Sequence, residues 1–171
     1  GYLEDDKLDA ASGKLDSLEQ ASSLTDEQRK QVEDMKNKLQ SAKDSAQQQQ
    51  ENEQKKSERR QEFSSEMDEL ESDDLKISSA ANAEDELAMT ASSFEQWDEL
   101  LSEMYDYLAG VLNADQYASE EENYKQWVAE RDSGAENAAG ATEDSTQKQL
   151  ASYSFKQSYT KARCYKLLDM M

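Results

Sequence analysis

The chain has no histidine and no proline, a single cysteine and only five glycines. Without histidine there is no Ser-His or Cys-His nucleophile pair, no imidazole base near neutral pH, and none of the commonest zinc ligand. One cysteine, Cys164, excludes an intrachain disulfide. It stands among aromatics in a helical context near the C-terminus, so it reads as a small buried hydrophobe rather than a reactive thiol. The scattered glycines form no phosphate-cradling loop. The acidic run "ESDDLKISSAANAEDE" lacks the D-x-D-x-D-G spacing of a calcium loop. No apolar run reaches the length of a membrane span, and no signal-peptide pattern is present. The chain opens at Gly1 without a Met, so the expectation is that a leader has been removed. Carboxylates occur throughout, and no stretch marks one pair for burial. The expectation is therefore no catalytic residue, no cofactor and no metal.

What is present is charge and helix-forming side chains. Glu, Lys, Gln, Ala and Leu dominate, which predicts an all-α protein. With 35% hydrophobic and 34% charged residues, elongated helices are favoured over a thick core. Asp and Glu number 39 against 19 Lys and Arg, a net charge of −20. Such a chain repels phosphates and anionic lipids, so neither nucleic acid nor direct membrane insertion is expected. It attracts cationic proteins in a salt-sensitive way, although solubility alone also accounts for the charge.

Hydrophobic spacing divides the chain. Leu8, Ala11, Leu15 and Leu18 form a narrow stripe, weakened by Gly13. "SSLT" interrupts it, and Thr25 to Gln28 reads as a capping box opening a second stripe of Val32, Met35, Leu39, Ala42 and Ala46. Residues 1–61 are thus expected to form an antiparallel helical hairpin, ending in a polar but helix-permissive stretch, 45–61. Phe63, Met67, Leu70 and Leu75 resume the pattern. Residues 62–171 hold nearly all the aromatics and are expected to form a small three-helix bundle. After a break at "KISSAAN", Asn82 caps a strongly amphipathic helix through Leu87, Phe94, Trp97, Leu101, Met104 and Leu108. Asn113 caps the next, whose face carries Tyr117, Tyr124, Val128, Arg131, Ala135 and Ala138, with Gly134 and Gly140 loosening its end. A last helix runs through Leu150, Tyr159, Cys164 and Leu167.

Arg131 lies on an apolar face, where an unpaired charge is costly. It calls for an aromatic face such as Trp127 and a carboxylate from the neighbouring helix: Glu103, Asp98 or Asp106. That makes it a brace between helices. The alternative is an exposed Trp-Arg binding centre.

Three segments carry a resemblance: "FEQWDELLSEMYDYLAGVL", "YKQWVAERDSGAENAA" and "SYTKARCYKLLDMM". They resemble successive helices of the lysozyme-inhibitor LprI-like N-terminal domain, over about residues 82–171. Its pattern is L-x-x-x-Y, then W-[IV]-x-x-R-D, then T-x-x-R-x-x-x-L. It falls here on Leu101 and Tyr105, on Trp127, Arg131 and Asp132, and on Thr160, Arg163 and Leu167. These motif residues look structural, so no inhibitory residue can be carried over. Many relatives close disulfides near these motifs. Here Ala135 stands where a cysteine often follows, and Cys164 has no partner.

The resemblance implies a non-enzymatic binding protein at the bacterial surface or cell envelope, lipid-anchored in its full-length form. Its implied partner is a cationic protein such as lysozyme. A structural or spacer protein that self-associates through its hairpin is the alternative.

Overall fold

A computed structural model describes residues 2–21 and 24–171, with side chains from Asp6 onward. Gly1 and the Ser22-Ser23 half of the expected "SSLT" interruption lie outside the described residues. The fold is all-α. Five helices follow one another: α1 (Tyr2–Glu19), α2 (Asp26–Ile77), α3 (Ala83–Val111), α4 (Ala114–Ala139) and α5 (Ser145–Leu168).

Local chemistry sets the helix ends. The Thr25 hydroxyl accepts from the Gln28 amide at 3.3 Å, and the Thr25 amide donates to the Gln28 side chain at 2.9 Å, a reciprocal box. Asn82 caps α3 by accepting from the Asp85 amide, Asn113 and Gln116 form a second box at α4, and Asp144 caps α5. No proline interrupts residues 45–61, which are helical throughout. Along and just before this polar run, Gln40, Gln47 and Gln54 each donate to an acid one turn on, Asp44, Glu51 and Glu58, at 2.7–2.9 Å. Such i,i+4 pairs support a helix that has no apolar face to bury.

The chain divides into two compact units, Gly1–Glu58 and Arg59–Met171, with the boundary inside α2. In the first, Val32 is the one buried side chain among the described residues, while Leu18 and Met35 remain 48% and 54% exposed. Asp16 and Glu19 meet Lys36, and Asp9 meets Lys43, so pairing runs in opposite order along α1 and α2.

The second unit contains the main core. Trp97, Leu100, Leu101, Met104 and Leu108 of α3 pack with Trp127 of α4 and with Cys164 and Leu167 of α5. Phe63 and Met67 of α2 complete it, at 0% and 1% exposure. The core therefore draws on four helices where the sequence suggests three. Leu75 is not on the buried stripe. It is 77% exposed, and its neighbour Asp74 turns inward instead.

Gly134 also departs from expectation. α4 runs past it without a break to Ala139, and Gly140 caps the end. A Cβ at Gly134 would overlap the ring of Phe155 on α5, so glycine there is what permits α4 and α5 to approach. Gly110 on α3 faces open space. Gly134→Ala is accordingly expected to destabilise the fold by about 1–3 kcal/mol through overpacking. Gly110→Ala is expected to stabilise it by about 0.5–1 kcal/mol through reduced backbone entropy of the unfolded chain. Urea denaturation followed by circular dichroism measures both.

Candidate functional site

The residues of the sequence pattern converge where α3, α4 and α5 meet. Leu101, Thr160 and Leu167 are fully buried, and Arg163 is 5% exposed. The Arg163 guanidinium forms an ion pair with Glu120, itself 6% exposed, and donates to the Tyr105 hydroxyl from Nε at 2.8 Å and from Nη2 at 2.6 Å. The Tyr105 hydroxyl in turn donates to Glu120 at 3.0 Å. One residue from each helix thus satisfies the other two. Burial pushes the Tyr105 hydroxyl well above its ordinary pKa, so it remains a donor at neutral pH. The Thr160 hydroxyl, one turn before Arg163, has no hydrogen-bond partner among the described residues.

A second charged contact lies along α4. Arg131 donates from Nη1 to Asp98 of α3 at 2.7 Å and from Nε to Asp132 at 3.1 Å. Of the three carboxylates considered from sequence, Asp98 is the partner; Glu103 instead meets Arg59 at 3.2 Å. The Arg131 guanidinium lies 5.1 Å from the Trp127 ring and 5.5 Å from that of Phe94. Trp127 is 8% exposed and also lies 5.8 Å from the Arg163 guanidinium, so it lies between the two charged contacts. With Arg131 and Trp127 both committed inward, no exposed Trp-Arg centre exists here.

Sequence reasoning missed two carboxylates. Glu120 precedes Tyr124 by four residues, on the stripe that continues through Trp127 and Arg131. Asp74 follows Leu70 by four, on the stripe of Phe63 and Met67. Asp74 accepts from Ser93, from Trp97 Nε1 at 3.1 Å and from Gln157 at 2.7 Å, with Lys161 at 3.5 Å. It thereby ties α2 to α3 and α5. In both cases the signal was available: a charged residue at the next position of an apolar stripe needs a partner, as Arg131 does.

The described residues contain no group of His, Cys, Asp or Glu side chains placed to hold a metal ion. Burial raises the Cys164 thiol to about 12, which leaves it a thiol rather than a nucleophilic thiolate. An open groove of about 390 Å³ beside α4 and α5 is lined in part by Trp127, Tyr159 and Arg163. Its aromatic rings pack on one another. Trp127 stacks on Tyr124 at 5.8 Å and on Tyr159 at 5.7 Å, and Tyr159 stacks on Phe155 at 5.5 Å.

Losing one member of the buried pair leaves the other charge stranded. Arg163→Met and Glu120→Leu should each cost about 3–5 kcal/mol. The double variant should recover part of that loss. Arg131→Ala, whose partner Asp98 is 41% exposed, should cost less, about 1–3 kcal/mol. A double-mutant cycle by chemical denaturation separates these terms.

Comparison with known proteins identifies a family. The model of the family described as lysozyme inhibitor LprI aligns with residues 77–167, just over half of the chain, spanning all of α3 and α4 and nearly all of α5. No curated protein and no solved structure matches the chain.

Proposed function

The chain belongs to the lysozyme inhibitor LprI family, and from that membership we propose that it is a non-enzymatic protein that binds lysozyme, or another cationic protein, outside the cell or in the cell envelope. Among the described residues no helix is long and apolar enough to cross a membrane. A lipid anchor on the full-length protein is part of this proposal.

The observation that carries the reading is the family match on an intensely acidic unit. Residues 59–171 hold 25 Asp and Glu against 10 Lys and Arg. Eight of those ten cations are in ion pairs within the chain, Arg163, Arg131 and Lys161 among them. With those pairs formed, the unit still carries 15 more carboxylates than cations. The resulting field accelerates encounter with a strongly basic protein and repels nucleic acid and anionic lipid.

The decisive measurement is bacterial cell-wall lysis by lysozyme with increasing amounts of this protein. Lysis is expected to fall in proportion to added protein, and the effect to weaken as salt is raised. Undiminished lysis at excess protein ends the lysozyme assignment.

A second reading draws on the first unit, where Leu18 and Met35 leave an apolar stripe uncovered. Self-association through that stripe would make the chain a structural or spacer protein. Sedimentation should then show concentration-dependent dimers that disappear in Leu18→Lys/Met35→Lys. A wild-type monomer at all concentrations removes this reading.

A further inference from the structure

The packing of α2 against α3 leaves a groove on the second unit. Two adjoining hollows share Asp73 and Gln96. The first, about 300 Å³, has Leu70 and buried Leu100 beneath a rim of Glu66, Glu69, Glu99 and Glu103. The second, about 420 Å³, exposes mostly apolar surface from Ile77, Ala88 and Met89, and is also lined by Ser92, Ser93 and Lys76, whose charge Asp73 holds. The groove is thus one continuous surface, apolar along its floor and at one end, and carboxylate-rimmed at the other.

The rim is short of counter-charge. Arg59 is shared between Glu62 at 2.8 Å and Glu103 at 3.2 Å, and it only approaches Glu66 at 3.9 Å. Lys76 is held by Asp73. Glu69 and Glu99 have no ion pair among the described residues. Burial raises the pKa of Glu66, and the carboxylates of Glu103, Glu62 and Glu69 push the same way against Arg59. These charges repel one another, and an incoming cation relieves that repulsion.

Several occupants are ill suited. A second copy of this unit would bring the same excess of carboxylates. Nucleic acid and anionic lipid carry the wrong sign. A neutral apolar segment would cover the Ile77–Met89 end but would desolvate the rim carboxylates without pairing them. A basic segment with apolar side chains meets both halves.

We infer that the α2/α3 groove is the docking face for a basic, partly apolar segment of a protein partner, with lysine or arginine side chains entering between Glu66, Glu69 and Glu99 and an apolar side chain resting on Ile77 and Met89. The inference rests on the preceding reading only in taking lysozyme as one of its two probes.

The test compares two charge reversals of equal size in the full chain. One is Glu66→Lys/Glu69→Lys/Glu99→Lys in the groove. The other is Glu121→Lys/Glu122→Lys/Glu136→Lys on exposed positions of α4. Circular dichroism confirms that each is folded, and Met89→Gln supplies a variant with unchanged charge. Titration calorimetry measures binding of lysozyme and of a synthetic amphipathic lysine-leucine peptide. The groove reversal should weaken peptide binding by about tenfold or more, the α4 reversal by less than about threefold, and Met89→Gln by an intermediate factor. Equal losses in the two reversals would mean that net charge alone acts, and would overturn the groove. So would a wild type that binds neither probe. Peptide binding lost in the groove reversal while lysozyme remains unbound would end the lysozyme reading and leave the groove standing. Lysozyme bound equally well by both reversals would do the opposite.

Discussion

Arg163 is a full positive charge inside a helical core, and the second unit is arranged so that this charge is never alone. A buried guanidinium without a partner would cost several kcal/mol, more than a small domain can spare. Glu120 supplies the opposite charge from α4, and the Tyr105 hydroxyl from α3 bridges them. These contacts are directional. They hold α3, α4 and α5 at one mutual rotation, which nonspecific apolar packing would leave loose. Trp127 fits against both Arg163 and Arg131 only because those rotations are set. Asp74 plays the corresponding part for α2, gathering donors from α3 and α5.

Charge shapes the surface as well. A chain with 39 acids against 19 bases must present unneutralised carboxylates outside, whichever pairs form. Between α2 and α3 those carboxylates border an apolar groove. Each arginine used as a brace takes a carboxylate with it, so the sign of the outer field is set by the net charge of −20 and not by the bracing.

Much of the fold was legible from spacing. The capped starts at Thr25, Asn82 and Asn113 follow from side chains that can satisfy free helix amides, a local matter that no distant contact overrides. Trp97, Leu101, Met104 and Leu108 were marked by a sustained three-four spacing, and all are buried. Arg131 was legible as a charge in need of partners, down to Trp127 and a short list of carboxylates. Asp74 and Glu120 were not read, because a pattern built on apolar residues treats a carboxylate as the end of a stripe. Apolar spacing points to Leu75 and passes over Asp74 for that reason. Gly134 was read as a weak point because helix propensity penalises glycine, whereas its missing side chain is the space that Phe155 occupies.

The sequence by itself determined the all-α class, the helix starts, the inward face of α3 and the excess of negative charge. Each of these depends on residue type and on spacing within about one helical turn. Only the tertiary structure decided which charges are paired, that α2 completes the core, and which carboxylates line a groove. Those outcomes depend on residues 23 to 83 positions apart in the chain being brought within hydrogen-bond distance, as Asp74 is with Trp97 and Gln157. Spacing within a single helix carries no information about such contacts.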